Sequence, residues 1–410
     1  MAVRAYEFDV QDATVRVMNF RNLRKIDWLL PLLVLLLAGI GWALIYSATR
    51  STDHSRFSKQ IVFFFMGLAV AMTIICIDYR FLVAMAPLAY VVSILLLVGI
   101  FFFAETTKGS ERWYNFGPIK FQPSETAKLV MVYTLTWYLT TIGDRVKKLP
   151  WFLITFVITG IPMALILKQP NLGTAATLGP LTLAMLFVSG CRIRHLAVIC
   201  LGGLSLIPLL WWQIHDFDPN ETPKTEAYYE MHPEEKPAPR PFYELRHHQK
   251  KRIYTFLHPE TDLQNSGWQT YQSKITVGSG GMFGKGYLQG TQTRLNYLPE
   301  HDTDFIYSLL AEEHGFVGAV VVIALFAVFL LRALSYARDC PELMGALLAS
   351  GIVTVLAFHI FVNIAITIGL LPVTGIPLPF LSYGGSFYLT TMACVGVLLN
   401  VPMRRRVYVK

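Results

Sequence analysis

The chain predicts an all-α polytopic membrane protein of about ten transmembrane helices, with a large extracytoplasmic loop between helices 7 and 8. Three observations carry that prediction. Of 410 residues, 54% are hydrophobic and only 15% charged, and the mean hydropathy is +0.46, a composition outside the soluble range. Apolar runs close to the roughly 20 residues that cross a bilayer recur along the chain. Cations then gather at alternate ends of those runs, as the positive-inside rule requires. The net charge of +8 lies in these short clusters and not on one stripe, which excludes a nucleic-acid surface.

In order, the apolar runs fall at 28–48, 59–77, 81–103, 123–142, 151–167, 172–190, 196–213, 304–333, 343–370 and 384–402. Inner segments hold Arg21, Arg24 and Lys25, then Arg80, then Arg145, Lys147 and Lys148, then Arg192 and Arg194, then Arg332 and Arg338, and last Arg404, Arg405 and Arg406. Both termini are therefore expected in the cytoplasm. The expected organisation is a cytoplasmic segment 1–27, helices 1–7 over 28–213, an extracytoplasmic loop 214–303, helices 8–10 over 304–402, and a cytoplasmic tail 403–410. The polar, charged start with no cleavable apolar region predicts that the first run is a retained span. The five cysteines, Cys76, Cys191, Cys200, Cys340 and Cys394, form no CxxC pair, so neither a disulfide framework nor structural zinc is expected.

The outer segments hold the chemistry. At 104–122 and beyond, Pro123 is placed to be the first residue of a helix, and Glu125 and Lys128, three apart, share its face just inside the boundary. Two readings stand for that pair: a structural bridge, or a lysine that meets a pyrophosphate while the glutamate holds it. Trp113, Tyr114 and Phe116 read as an interfacial aromatic belt. In KQPNLGTA, 168–175, a tight turn with Asn171 capping the next helix outweighs a ligand site.

The long loop divides in two. Residues 216–250, rich in Pro, Glu, Lys and His, have the composition of a flexible insertion. From Arg252 onward glycine and aromatics return, and this part is expected to fold back over the helices. Its glycines at 278, 280, 281, 284, 286 and 290 allow a backbone to approach a ligand closely. Lys274 and Lys285 with nearby amides resemble an anion site, with Arg294 a further cation facing phosphate, although a Walker-type GKS or GKT is lacking. In LPEHDTDFIYSLLAEEHG, Asp304, Ser308 and Glu312 recur at helical spacing, which predicts one face of a membrane helix. Carboxylates at that depth suggest function. Asp302 is read as solvated or a cap, and Glu313 and His314 as structural. The last outer stretch, LLPVTGIPLPFLSYGGSF, is irregular backbone that either lines a cavity opposite Asp304 or makes a reentrant turn. It offers the hydroxyls of Ser382, Tyr383 and Ser386.

Five motifs, FQPSE-x-x-K at 121–128, KQPNLGT at 168–174, GSGG-x-x-GKG-x-x-x-GTQ at 278–292, LPE then TDFIY at 298–307, and LPVTGIPLPFLSYGGS at 371–386, resemble the SEDS family of shape, elongation, division and sporulation proteins. The resemblance spans nearly the whole chain outside 216–250, and the glycine loop is of the elongation type more than the division type. It implies a ten-helix peptidoglycan glycosyltransferase that polymerises lipid II on the outer face of the plasma membrane beside a class B penicillin-binding protein. It also implies Asp304 as the essential aspartate, with Glu125 and Lys128 as the polar pair of the fourth helix. The chain departs from the family pattern at Asn171, where the family has Asp, and in the order His301, Asp302, Thr303, Asp304, which makes Asp302 a rival base.

Polymerisation requires a carboxylate to take the acceptor hydroxyl's proton and cations to meet the charge growing on the leaving pyrophosphate. Asp304 is the candidate base; Glu125, Lys128, Arg252, Lys274, Lys285 and Ser382 are candidates for substrate binding, with a divalent ion, Mg or Mn, as an optional aid. A lipid II flippase, a division-type paralogue and a non-catalytic scaffold are the alternatives.

Overall fold

A computed structural model describes residues 26–50, 54–103, 112–116, 119–215, 247–258, 266–291, 297–298 and 300–404. Its helices are α1 Leu29–Thr49, α2 His54–Cys76, α3 Tyr79–Ala84, α4 Ala86–Phe103, α5 Pro123–Ile142, α6 Leu149–Lys168, α7 Leu172–Val188, α8 Ile193–His215, α9 His247–Leu257, α10 Ser266–Ser279, α11 Ile306–Asp339, α12 Leu343–Thr367 and α13 Gly385–Met403. Between α4 and α5 lies an antiparallel hairpin, β1 Tyr114–Phe116 with β2 Ile119–Phe121, pairing Tyr114 with Phe121. It is the one sheet among the described residues.

Each predicted apolar run overlaps a long helix, although the run 81–103 is divided at Met85 between the short α3 and α4. Seven of these have the length and hydropathy of a membrane span, and the chain is a multi-pass membrane protein. The remaining three are α7 and α8, whose apolar stretches are shorter, and α5, which holds buried charge.

The seven spans are apolar on their exposed as well as their buried faces, as helices that cross a membrane must be. In α1 the buried stripe Leu30, Leu33, Val34, Leu37, Gly41 and Leu44 repeats every three to four residues, while Leu29, Leu32, Leu35 and Leu36 face outward. Of these seven spans, α12 and α13 are the most enclosed and α4 the least. α13 lies along α2 at close range: a Cβ on Gly396 would stand 2.8 Å from the Ala71 carbonyl, the small-residue packing that membrane helices favour. Asn400 donates to the carbonyls of Ile74 in the last turn of α2 (2.7 Å) and of Ile77 just past its end (2.6 Å), and so caps that helix from its neighbour.

The later part of the long loop does fold back over the bundle. α10 packs on α11 and α12, with Ser273 hydrogen-bonded to Ser308 (2.8 Å) and to the Thr367 carbonyl (2.7 Å). Of the insertion, 216–246 lies outside the described residues, as does Arg294.

Candidate active site

The residues before α11 form a turn, in which the amides of Thr303 and Asp304 donate to the Glu300 carbonyl at 3.2 and 3.1 Å. Helix begins only at Ile306, with Phe305 as its cap. This corrects the sequence reading: Asp304 precedes the helix and does not share a helical face with Ser308 and Glu312. A turn frees the carboxylate from the helix surface, and its side chain is half-buried at the head of α11.

The backbone around Asp304 is fixed from several sides. Ser382 donates to the Thr303 carbonyl (2.6 Å) and accepts from the Leu378 amide (2.8 Å). Tyr383 N–H donates to the Asp302 carbonyl at 2.9 Å. Asn363 on α12 donates to the carbonyls of Asp304 (2.8 Å) and Ile376 (2.7 Å). His301 sets one ring nitrogen 2.8 Å from the Leu298 carbonyl and the other 3.0 Å from that of Ala48, which ties the turn to α1. The proline-punctuated stretch after α12 is thus bound to the aspartate's turn through backbone groups, as irregular chain at membrane depth requires. Gly375 lies beside the acid: a Cβ there would stand 3.6 Å from Asp304 Oδ2.

Asp302 is neither solvated nor a helix cap. It is 2% exposed, and its carboxylate accepts from Arg56 Nη1 at 2.5 Å while Arg56 lies over the Tyr383 ring. That carboxylate is enclosed in a bridge from α2 to the outer loop.

Beneath lies a second charged group. Pro123 opens α5 and places Glu125 in its first turn. Glu125 and Lys128, 4% and 2% exposed, are joined Oε2 to Nζ at 2.8 Å. Lys128 Nζ also lies 2.8 Å from His359 Nε2 on α12 and 5.5 Å from the Phe387 ring centroid. Thr174 donates to the other oxygen of Glu125 at 3.4 Å. Asn171 does cap α7, accepting from Thr174 N at 3.3 Å, and its amide reaches Ser124 Oγ at 3.2 Å. His359 and Asn363 are four residues apart on α12 and so one turn apart, about 5–6 Å between Cβ atoms. The lysine and the aspartate's backbone are therefore both held by adjacent turns of one helix.

The glycine-rich loop does something the sequence does not announce. α11 is broken at Gly315, whose φ of 67° and ψ of −166° lie outside helical values. Segment 281–286 lies in the break: the amides of Lys285 and Gly286 donate to the carbonyls of Glu312 (2.9 Å) and Glu313 (3.0 Å). In return Phe316 and Val317 donate to the carbonyls of Gly281 (2.9 Å) and Met282 (3.1 Å). Groups that the break would orphan are satisfied by the loop. The two backbones approach so closely that a Cβ on Gly284 would stand 2.1 Å from the Glu313 carbonyl. The amides read as an anion cradle are thus occupied by the protein itself. Lys285 Nζ bonds Glu312 Oε1 and Thr291 Oγ1, both at 2.6 Å. Glu313 accepts from Ser47 of α1.

Of the other candidates, Lys274 is exposed on α10 beside Gly369 at the end of α12, a Cβ on which would fall 2.7 Å from its Nζ. Arg252 lies on α9, its side chain outside the described residues. Ser382 is fully buried with its hydroxyl committed to backbone. Sequence reasoning missed Arg56, His359 and Asn363. The last two were signalled by being polar inside the apolar run 343–370, where such side chains are expensive. Arg56, in the polar start of its run, had no such signal.

The chain matches the family model described as "Cell cycle protein", FTSW_RODA_SPOVE, over residues 27–407. It is 35% identical to the peptidoglycan glycosyltransferase RodA of Treponema pallidum (strain Nichols), across 95% of this chain and 100% of that one. It is 32% identical to the peptidoglycan glycosyltransferase MrdB of Escherichia coli (strain K12), across 92% and 94%. Its fold matches a chain of a solved peptidoglycan synthase complex in which polymerization and crosslinking are coordinated, with a TM-score of 0.76 and 29% identity over 94% of this chain and 99% of that one.

Proposed function

The chain belongs to the family of cell cycle proteins that joins FtsW, RodA and SpoVE, and from that membership we propose how its outer site works. The protein is a peptidoglycan glycosyltransferase of the RodA type that polymerises lipid II in cell elongation. Asp304 is the general base. One observation carries this: of the two aspartates in the 302–304 turn, Asp302 is 2% exposed, whereas Asp304 is half-buried and lies beside Gly375 on a backbone pinned by Asn363. A base must lie within hydrogen-bond reach of the proton it removes, on a frame that does not drift.

The acceptor's 4-hydroxyl gives its proton to Asp304 as its oxygen attacks the donor's anomeric carbon, and the bond to the lipid-linked pyrophosphate breaks. One base and a good leaving group suit a single displacement with inversion. Positive charge near the leaving group comes from Lys128, held by Glu125, with Lys274 at the rim. Lys128 acts from beneath the site, where low polarity lengthens the reach of its field. The described residues contain no cluster of three metal-ligating side chains. A divalent ion, Mg or Mn, would therefore be held by the donor's phosphates and a carboxylate such as Asp304, the usual manner of magnesium at phosphates; when bound it supplies charge to the leaving group. Orientation with both termini in the cytoplasm, ten crossings, the inner membrane as location and a class B penicillin-binding protein as partner complete the proposal; the relative within a synthase complex supports the last.

Labelled lipid II given to the purified protein in detergent tests this. Asp304→Asn should fold and form no polymer; polymer from that variant ends the assignment.

A further inference from the structure

Three groups surround the Lys128 ammonium: the Glu125 carboxylate, the Phe387 ring and the His359 imidazole. The first is an expected counter-ion, whereas the third has no role yet. His359 is 1% exposed. Its Nδ1 lies 3.4 Å from the Pro377 carbonyl and its Nε2 lies 2.8 Å from Lys128 Nζ. A carbonyl only accepts, so Nδ1 carries the proton; an ammonium only donates, so Nε2 offers its lone pair. Both neighbours thus select the same neutral tautomer. The ring is held flat on Phe387, centroids 5.2 Å apart and planes 20° apart, and its carbonyl partner belongs to the stretch that carries Gly375.

We propose that His359 is a positioning residue for glycan polymerisation, a neutral acceptor that aims the Lys128 ammonium at the leaving pyrophosphate without cancelling its charge. The inference rests on the role given to Lys128 above. A second carboxylate in that place would aim the lysine equally well but would turn the cluster net negative and oppose the phosphate. A hydrocarbon would leave the ammonium with one side-chain acceptor and free to swing. The imidazole does what neither can: with Glu125 it directs two of the three N–H bonds, and the cluster stays net neutral with a single counter-ion, so that the ammonium's third N–H end can still be turned toward an anion. Because Asn363, one turn further along α12, holds the backbone of Asp304, the same helix sets the spacing between base and cation.

The test is steady-state polymerisation of lipid II by the full chain with its transpeptidase partner, comparing His359→Phe, His359→Gln and Lys128→Met. Phe keeps the stacking surface and removes the lone pair; Gln restores an acceptor at similar reach. If the lysine acts on charge that develops only in the transition state, kcat for His359→Phe should fall about 100-fold with KM little changed, and His359→Gln should recover to within several-fold of wild type. Thermal unfolding of each variant separates this from a folding defect, and if the Phe variant does not fold the Gln variant decides alone. Wild-type kcat in His359→Phe, or a folded His359→Gln as slow as Lys128→Met, overturns the proposal. Wild-type activity in Lys128→Met instead removes the role given to the lysine, whatever His359 does.

Discussion

Gly315→Ala should uncouple the glycine loop from α11. At φ 67° and ψ −166° the residue occupies a region that only glycine enters freely, and forcing alanine there costs about 1–3 kcal/mol. The added methyl would also stand 2.3 Å from the Gly284 amide nitrogen and 2.6 Å from the Met282 carbonyl oxygen, both backbone atoms that cannot rotate away. Relief requires the loop to leave the break and give up the hydrogen bonds of Lys285, Gly286, Phe316 and Val317, each contributing about 0.5–1.5 kcal/mol. The loss is then roughly 3–9 kcal/mol if the loop leaves entirely, and near the lower end if it shifts and rebonds. The assays are thermal unfolding in detergent and hydrogen exchange at those four amides. Gly278→Ala is the control, since a Cβ there meets no atom within 4 Å. An unchanged Tm with full protection of the four amides in Gly315→Ala would refute the account.

Other outcomes follow from the site. Glu125→Leu or Lys128→Met alone leaves an uncompensated charge in the interior and should cost about 3–5 kcal/mol; the double variant should regain most of that stability and still fail to polymerise lipid II, which unfolding and activity measured together will show. Asp302→Asn breaks the bridge to Arg56 and should lower Tm by the equivalent of about 1–3 kcal/mol while retaining measurable polymerisation, in contrast to Asp304→Asn. Gly375→Ala, which combines a φ of 71° with a methyl in van der Waals contact with Asp304 Oδ2 at 3.6 Å, should strain the backbone beside the acid and lower kcat. On the inner side, burial raises the Asp27 carboxyl, but hydrogen bonds from Tyr336 and Arg332 and from the Leu29 amide prevail and hold it below the usual carboxylate range. Its folded value is depressed, so its contribution is complete above the ordinary carboxylate value and is lost as pH falls through the folded one; acid titration of Tm should show a shallower fall in Asp27→Asn.

The positions of the long helices were legible because hydropathy is a local property: a run such as 384–402 is apolar whatever surrounds it. Two ends were legible for the same reason, Pro123 at a helix start and Asn171 as a cap, since both act on chain within three residues. What escaped was tertiary. AEEHGFVG reads as uninterrupted helix, and only the loop lying across it turns Gly315 into a break. The same loop looked like a phosphate cradle because glycine spacing shows that backbones meet without showing which ones. Asp302 and Asp304 are indistinguishable in sequence; the pairing of Asp302 with Arg56, 246 residues away, is tertiary.

The interruption at Gly315 divides one long rod into a short stub, Ile306–His314, and a shaft that ends at Asp339. Segment 281–286 clasps both sides of that break, at Glu312 and Glu313 of the stub and at Phe316 and Val317 of the shaft, while the far part of the shaft is tethered to Asp27 through Arg332 and Tyr336. A displacement of that segment would therefore act at the joint itself, between the stub that leads back to Asp304 and the shaft. The break makes the angle between stub and shaft depend on a segment that belongs to neither.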